Sequence, residues 1–267
     1  MATNSKQSIL VGIDFTKSSE NALNYAIMLA EKSKSALLLF HVFDTPIVHT
    51  NSGAYFVEYA SLKHNNLAKL ESYKKEIQAK HPKVKMDVRT TFASFKEEVK
   101  DLAKHGKINY VVLGLETKSK ISKFIYGTTG VDIAGKVDCP VIIVPEKYKE
   151  HKLEHAILAI DNKNKQHAVI LKKHQAFMKA HKCASVNLHV RTEDELIIEK
   201  IKNKDLLVET IEAKDFKTGL AKYMKANGTD LITLISHSHS FLYNMFGETN
   251  TKLIAFQSKV PVMSIHD

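Results

Sequence analysis

The second half of this 267-residue chain repeats the order of the first half in altered form. Three apolar segments of the first half return in the second, and they are 9–14 (ILVGID) with 157–161 (ILAID), 39–42 (LFHV) with 187–190 (NLHV), and 139–144 (CPVIIV) with 260–265 (VPVMSI). An internal repeat constrains a fold more strongly than a single motif does, because each copy must bury its core in the same way. The sequence therefore predicts two similar units, at residues 1–148 and 149–267.

The first unit alternates short apolar segments with amphipathic ones. An apolar, β-branched run at 8–13 predicts a buried strand, and further strands are predicted at 36–43, 84–91, 109–113 and 141–144. Helices are predicted after the cap Ser18 and the first-turn acid Glu20, near 61–80, after the capping box of Ser94 and Glu97, and around 128–137. Strands that alternate with helices pair in parallel through right-handed crossovers. We therefore expect an α/β fold with two tandem doubly wound parallel sheets, each of five strands in the Rossmann-like order 3-2-1-4-5.

The chain is basic, with a formal net charge of +10. The excess is spread over both units, and only Arg89 and Arg191 among its 39 basic residues are arginines. Because arginine suits phosphates and base edges best, a lysine-rich solvated surface explains the charge better than a nucleic-acid interface does. No apolar run approaches the roughly 20 residues that span a bilayer, and the first residues lack the apolar core of a signal peptide. A cytoplasmic protein is expected, with Cys139 and Cys183 as buried reduced thiols.

Residues suited to ligand binding follow the first and fourth predicted strands. Asp14 closes the first strand and Gly114 the fourth, so both would face one crevice at the carboxyl edge of the sheet. Gly127, Thr128 and Thr129 open the next helix, and backbone amides at a helix start form an anion site. The loop before that helix carries three lysines that would neutralise phosphates, Lys118, Lys120 and Lys123.

These residues resemble the signature of the universal stress protein family. Asp after strand one, His-Val in strand two and Pro-Val in strand five stand in the family's order, and the resemblance covers nearly the whole chain. Nucleotide-binding members carry glycine, two residues, glycine, nine residues, then glycine with serine or threonine. In this chain Gly114, Gly127 and Thr128 match that spacing, and Thr117 stands at the second glycine.

The resemblance implies an ATP or AMP site in the first unit, with Mg²⁺ accompanying ATP. The implied contacts are Asp14 and the backbone of Val42 with the adenosine part, and Gly114, Gly127, Thr128 and Thr129 with the phosphates. Thr117 adds a branched side chain where a glycine would allow close backbone approach. Binding is therefore expected to be weakened, shifted toward AMP-sized ligands, or lost.

The second copy departs further from the family pattern. Ile235, Ser238 and Glu248 occupy the three glycine positions, and the Glu248 carboxylate would repel phosphate at a helix start. The loop between these positions has no lysine, and its apolar residues are Phe241, Leu242, Tyr243, Met245 and Phe246. No nucleotide triphosphate is expected to bind there. His237 and His239 are weak evidence for a metal site, because no carboxylate or cysteine cluster accompanies them.

Simpler structural explanations stand beside these functional ones. Asp14 could only bond the amides of its loop, and the segment 127–129 could be an ordinary helix cap. His41 and His189 lie in strand patterns, where a core histidine with satisfied hydrogen bonds is the commoner case. The sequence has no complete Walker loop, nucleophile elbow or metal-ligand set, so a regulatory protein is favoured over an enzyme, although slow ATP turnover stays open.

Two other functions remain open from the sequence. A nucleotide-free scaffold, in which both sites have decayed and the fused units act as a rigid pseudo-dimer, is favoured by Thr117 and by the second loop. A small-ligand carrier would use the apolar second crevice. Family members commonly pair two domains through the final strand, so the resemblance makes 141–144 and 262–265 candidates for an intrachain interface. An unknown protein partner and a homodimer of tandem chains also stay open.

Overall fold

The computed structural model describes residues 8–43, 54–115, 133, 137–160, 168–192, 208–236 and 258–266. Strands and helices alternate through them in this order: β1 (Ser8–Gly12), α1 (Lys17–Ser33), β2 (Ala36–Val42), α2 (Ala54–Lys80), β3 (Met86–Thr91), α3 (Phe95–Lys104), β4 (Ile108–Leu115), β5 (Val141–Pro145), β6 (His155–Ala159), α4 (Ala168–His181), β7 (Ala184–Arg191), β8 (Val208–Glu212), α5 (Phe216–Asn227), β9 (Leu231–Ser236) and β10 (Val262–His266). The predicted helix around 128–137 lies almost wholly outside the described residues. Within these elements, no helix has the length and apolar content needed to cross a membrane.

All ten strands join in one sheet, in the order β3-β2-β1-β4-β5-β10-β9-β6-β7-β8. Within each half of the chain the order is 3-2-1-4-5, and neighbouring strands of the same half are parallel. The predicted fold class and strand order are therefore confirmed. Parallel strands covered by helices are buried on both faces, which explains why residues 9–11 of β1 and 110–113 of β4 are continuous apolar runs rather than alternating ones.

The final strands of the two halves, β5 and β10, pair antiparallel and join the sheet. Met263 of β10 lies opposite Ile142 of β5 at the middle of this junction. The pairing confirms the prediction that 141–144 and 262–265 form an intrachain interface. Because the junction is antiparallel while each half is parallel, the carboxyl ends of the strands lie at opposite edges of the sheet in the two halves.

One hydrophobic core crosses this junction on a single face of the sheet. Helices α1, α2 and α4 cover that face, and its buried residues include Val11 from the first half and Leu158 from the second. Alternate strand residues point to the other face, where each half has a core of its own, with Leu10 under α3 and Leu188 under α5. The two halves therefore share apolar burial through α1 and α4.

A buried polar contact also links the halves. Tyr110 of β4 lies 2.9 Å from Nε2 of His181 at the end of α4, and His181 Nδ1 lies 2.8 Å from the Phe177 carbonyl oxygen. A carbonyl only accepts, so Nδ1 carries the proton and the Tyr110 hydroxyl donates to Nε2. Burial lowers the pKa of His181, which stabilises this neutral tautomer. Nearby, Lys32 of α1 donates to the Leu153 carbonyl at 2.6 Å.

The segment that connects the halves is fastened to α1. Asn21, which is buried in the first half of α1, donates from Nδ2 to the Pro145 carbonyl and accepts from His151 Nε2, both at 2.9 Å. The ring of Tyr148 packs with its edge against Tyr25, 5.9 Å between ring centroids. The first helix therefore holds the connection between the two halves in place.

The starts of the first two helices differ from their predictions. Thr16, and not Ser18, caps α1, because the Thr16 hydroxyl accepts a backbone N–H of the first turn while Ser18 lies inside that turn. Helix α2 begins at Ala54, seven residues before the predicted start, because residues 54–60 contain neither glycine nor proline to interrupt it.

The predicted capping box at α3 is wrong. The helix follows Ser94 as expected, but the Ser94 hydroxyl makes no capping hydrogen bond. Glu97 instead lies 3.8 Å from Lys100 on the exposed side of the helix. The carboxylate that contacts the neighbouring strand is Glu98, which accepts from Arg89 of β3 at 2.6 Å.

Both cysteines are free thiols. Cys139 is buried and Cys183 is half-buried, and burial raises the pKa of each thiol to about 12. A thiol with such a pKa is almost fully protonated near neutral pH and is a poor nucleophile. The prediction of reduced thiols is confirmed, although Cys183 is more accessible than expected.

Candidate functional site

Three of the predicted ligand residues lie at the carboxyl edge of the first half. Strand β1 lies between β2 and β4. Its register is given by the pair of Gly12 with Phe40 in β2 and the pair of Val11 with Val112 in β4. Continued along the chain, this register brings Asp14 to the level of Val42 and Gly114 to the level of Ile13. Asp14, Val42 and Gly114 therefore lie at neighbouring positions on three adjacent strands at this edge.

The Asp14 carboxylate stabilises the turn between β1 and α1. Its Oδ1 accepts from the Thr16 backbone N–H at 3.0 Å and from the Thr16 hydroxyl at 2.6 Å, and its own N–H donates to the Ser19 hydroxyl at 3.3 Å. This geometry matches the simpler structural role predicted for Asp14. Both side-chain bonds use Oδ1, so Oδ2 has no hydrogen-bond partner among the described residues. One carboxylate oxygen thus supports the turn between β1 and α1.

An aromatic cluster follows Asp14 at the same edge. Phe15 has a left-handed backbone, with φ 62°, which is an uncommon conformation for a bulky residue. Its ring meets His41 and Tyr73 edge to face, with centroids 5.0 and 5.7 Å apart, and Lys69 Nζ lies 3.8 Å from its centroid. Burial, with Glu20 nearby, raises the pKa of Tyr73 to about 12. Sequence reasoning missed this cluster, whose only local signal is an aromatic residue directly after the strand-end aspartate.

The two strand histidines make the same contact in both halves. His41 Nδ1 lies 2.7 Å from the Ile13 carbonyl oxygen, and His189 Nδ1 lies 3.3 Å from the Ile160 carbonyl oxygen. Each ring nitrogen must donate, because a carbonyl only accepts. The prediction of a core histidine with a satisfied hydrogen bond is confirmed for His189, whereas His41 makes the bond but is only half-buried. In each half the contact links the second strand to the end of the first.

Gly114 lies directly against the start of α1. A Cβ on this residue would lie 2.3 Å from the Ser18 carbonyl oxygen and 2.5 Å from the Ser18 Oγ. Real Cβ atoms do not approach backbone atoms so closely, so glycine is what allows the first turn of α1 to touch β4. Gly114 therefore has a packing role that is independent of any ligand. Nothing local in the sequence signals this contact, because Ser18 and Gly114 lie far apart in the chain.

The equivalent position in the second half is Ile235. Gly114 pairs with Val144 of β5, and Ile235 pairs with Ile265 of β10, so the two residues occupy the same place in the repeated strand order. The Ile235 side chain is fully buried. A branched side chain fills the place where the first half has a glycine, so a helix start cannot approach β9 as α1 approaches β4.

The remaining predicted site residues lie outside the described residues. In the first half these are Thr117, Gly127, Thr128 and Thr129 with Lys118, Lys120 and Lys123, and in the second half they are Ser238 and Glu248 with His237, His239 and the apolar loop residues. Across the parts of the chain that the structure does describe, no three His, Cys, Asp or Glu side chains are grouped so that they could hold a metal ion.

Comparison with known families matches most of the first half. The sequence model of the universal stress protein family matches residues 6–145, which is more than half of the chain. This chain belongs to the universal stress protein family. The matched range contains Asp14, Val42, Gly114 and the segment 117–129, so every residue proposed for the first crevice lies within the family's own domain.

Solved structures extend the likeness to both halves. A universal stress protein from Archaeoglobus fulgidus DSM 4304 is 18% identical, with a TM-score of 0.67 over 97% of this chain and 96% of that chain. A putative universal stress protein from Pseudomonas aeruginosa UCBPP-PA14 is 11% identical, with a TM-score of 0.56 over 98% of this chain and 94% of that chain. At these identities the likeness shows the fold and not a ligand. Comparison with curated proteins gives no match.

Proposed function

We propose that this chain is a regulatory universal stress protein that binds an adenine nucleotide, ATP or AMP, in its N-terminal unit, residues 1–148. The C-terminal unit, residues 149–267, does not bind a nucleotide triphosphate. The observation that carries this proposal is the placement of Asp14, Val42 and Gly114 on three adjacent strands at the carboxyl edge of the sheet. Doubly wound sheets bind their ligands at that edge, outside the carboxyl ends of the strands.

The proposed contacts divide the crevice into two parts. Oδ2 of Asp14 accepts a hydrogen bond from the adenosine part, and the backbone at Val42 contacts the same part from the neighbouring strand. The phosphates lie on the Gly114 side, against Thr117, Gly127, Thr128 and Thr129. Mg²⁺ enters with ATP, because this ion is commonly held by substrate phosphates and one or two carboxylates rather than by a protein cage.

The proposed role is regulation through binding. The sequence has no complete Walker loop and no nucleophile elbow, and Oδ1 of the Asp14 carboxylate is engaged with Thr16. Ligand binding at this edge would act on the first turn of α1, which Asp14 and Thr16 organise. The same helix bonds the connecting segment through Asn21. Ligand binding in the crevice would therefore affect α1, the helix that contacts the segment between the two halves.

A second candidate is a nucleotide-free scaffold. The shared core and the pairing of β5 with β10 favour it, because they make the two halves one rigid body that requires no ligand to assemble. In this reading Gly114 is kept for its contact with Ser18, and Asp14 is kept for its bonds to Thr16. The two candidates differ in whether ATP or AMP binds at all.

Calorimetric titration of the full chain with ATP and Mg²⁺, and separately with AMP, tests the proposal. One site per chain is expected. The sharpest variant is Asp14→Asn, because Asn keeps an Oδ1 acceptor for Thr16 while it removes the charge and places an N–H₂ group at the Oδ2 position. Its affinity should fall at least tenfold with an unchanged unfolding midpoint, since hydrogen bonds to charged groups are worth about 1.5–3 kcal/mol. Asp14→Ala and Gly127→Glu should abolish binding.

The C-terminal unit supplies the negative control. Glu248→Gly alone should leave the stoichiometry at one, because Ile235 and Ser238 still occupy the other two glycine positions. Absence of binding heat and of thermal stabilisation at millimolar ATP and AMP would refute nucleotide binding and leave the scaffold as the better explanation.

A further inference from the structure

The hydroxyl of Ser18 is a buried polar group without a partner. The residue is 5% exposed, and its Oγ has no hydrogen-bond partner among the described residues. Leaving such a group unpaired costs free energy, so most buried hydroxyls in native proteins are hydrogen-bonded. Ser18 differs in this from Ser19 beside it, whose hydroxyl accepts from the Asp14 N–H and donates to the Thr16 carbonyl.

Ser18 lies where an anion would be stabilised by α1. Thr16 accepts from two N–H groups of the first turn, with its hydroxyl from Ser19 at 3.2 Å and with its carbonyl from Glu20 at 3.0 Å. The amides of Lys17 and Ser18 have no acceptor within the helix, as is general for the first residues of an α-helix. These amides carry the positive end of the helix dipole, and the side chain of Lys17 is exposed beside them.

The Ser18 hydroxyl points toward the end of β4. Its Oγ lies 2.5 Å from the place where a Cβ of Gly114 would be, so it occupies the seam between α1 and β4. The residue after Gly114 in β4 is the last one before the loop that carries the phosphate residues of the proposed function. Asp14 and Val42 lie on the other side, between β1 and β2. Glu20, the acid of the first turn, is close enough to Tyr73 of α2 to raise its pKa.

We propose that Ser18 contacts the ligand of the first crevice, with its hydroxyl donating to a phosphate oxygen of the nucleotide beside the amides of Lys17 and Ser18. This inference rests on the proposed function and assigns the phosphate end of that site to the first turn of α1. A bound phosphate supplies the acceptor that the hydroxyl and the two amides lack. The contact is made with phosphate and not with the base, so it distinguishes nucleotides from nucleosides.

The test compares Ser18→Ala with Ser33→Ala in the full chain. Ser33 lies at the other end of the same helix, where its hydroxyl bonds the Leu29 carbonyl at 2.8 Å, so this variant makes the same chemical change away from the crevice. Calorimetry with ATP, AMP, adenosine and tripolyphosphate is the readout. Ser18→Ala should weaken ATP and tripolyphosphate about tenfold and leave adenosine unchanged. Its unfolding midpoint should equal or exceed that of the wild type, whereas Ser33→Ala should bind every ligand as the wild type does.

The possible results separate this inference from the proposed function. If Ser18→Ala binds ATP as tightly as the wild type while Asp14→Asn does not, the nucleotide site stands and the role of Ser18 is wrong. Equal weakening of adenosine and ATP would mean that Ser18 only supports the fold of the crevice, and this also overturns the inference. A wild-type chain that binds neither nucleotides nor tripolyphosphate overturns both.

Discussion

The two halves of this chain share a strand order and differ where a ligand would bind. Each half keeps the hydrogen bond from a strand-two histidine to the end of strand one, through His41 and His189. At the end of strand four the halves diverge, because Gly114 admits the start of α1 while Ile235 fills the same place with a buried side chain. The comparison teaches that one strand order accommodates either a glycine or a buried isoleucine at the end of strand four, while the histidine contact is present in both halves.

The halves also differ in the polarity of their shared core. Thr233 pairs with Met263 as Val112 pairs with Ile142, so a threonine in the second half replaces a valine in the first. His174 in α4 stands at the position that Ala26 occupies in α1. Each residue lies eight positions before the left-handed residue that follows its helix, Lys182 for α4 and Lys34 for α1. Both polar side chains of the second half are buried, and neither has a hydrogen-bond partner among the described residues.

Exchanging the residues at the end of strand four should have the largest effect. In Gly114→Ile the new Cβ meets the Ser18 backbone at 2.3 Å, so the first turn of α1 must move. We expect the free energy of unfolding to fall by about 3 kcal/mol, the upper end of the usual range for overpacking, and ATP binding to be lost. Urea unfolding followed by circular dichroism measures the first effect, and calorimetry measures the second.

Ile235→Val is the matched control in the second half. It removes one methylene group from a buried side chain and should cost about 1 kcal/mol without changing ligand binding. Wild-type stability in Gly114→Ile would show that the contact between α1 and β4 does not require glycine, and would remove the main difference between the two halves.

Acid should destabilise the chain through His174. Burial lowers its pKa to about 4 in the folded protein from the ordinary 6.5. Between these values the unfolded chain binds a proton that the folded chain excludes, so the stability falls as the pH drops from about 6.5 to about 4 and does not fall further below that through this residue. The loss is about 3 kcal/mol for a shift of this size. His181 contributes in the same direction, because burial lowers its pKa as well.

The measurement is urea unfolding at several pH values in wild type and in His174→Ala, which carries the residue of the first half. The slope of stability against pH should be shallower in the variant, whatever its stability at neutral pH. Parallel slopes would mean that His174 is protonated in the folded protein or has an unseen route to solvent.

Tyr110→Phe tests the polar contact between the halves. The substitution keeps the ring contacts with Phe177 and His181 but leaves the buried Nε2 of His181 without its donor. We expect a loss of about 2 kcal/mol, the cost of an unsatisfied buried group. Tyr223→Phe is the control, because the Tyr223 hydroxyl bonds the exposed Glu209 within the second half. Similar losses of unfolding free energy in both variants would show that the contact between the halves stabilises the protein no more than the contact within the second half.

The smallest expected effect is a gain. Thr233→Val gives the second half the residue of the first and removes a buried hydroxyl without changing the shape of the side chain. The free energy of unfolding should rise by about 1 kcal/mol. The reverse change, Val112→Thr, should lower it by a similar amount. A Thr233→Val variant that is less stable than the wild type would reveal a hydrogen bond to the Thr233 hydroxyl from outside the described residues.

The sequence predicts the fold well because its signals are local and repeated. Strand cores such as 110–113 are continuous apolar runs, and the order of strands follows from their alternation with helices. The pairing of β5 with β10 was expected from family resemblance, since nothing in 141–144 or 262–265 alone specifies which strand each would meet.

The contacts that shape the crevice were less predictable. Thr16 and Ser18 both have the chemistry of a helix cap, and only the backbone of the turn after Asp14 decides between them. The contact of Gly114 with Ser18 and the bond of Tyr110 to His181 join residues from distant parts of the chain. No local pattern predicts such pairs, because they are fixed by how the helices pack on the sheet.

The seam between β5 and β10 also determines how the molecule responds to dilution. Two separate chains that paired through these strands would come apart as their concentration fell. Here the partners are tethered by the segment 146–153, so their effective concentration is constant. In a symmetric dimer every substitution appears on both sides of the interface. In this chain β5 always pairs with β10, a strand of different sequence. One side of the seam can therefore change without the other.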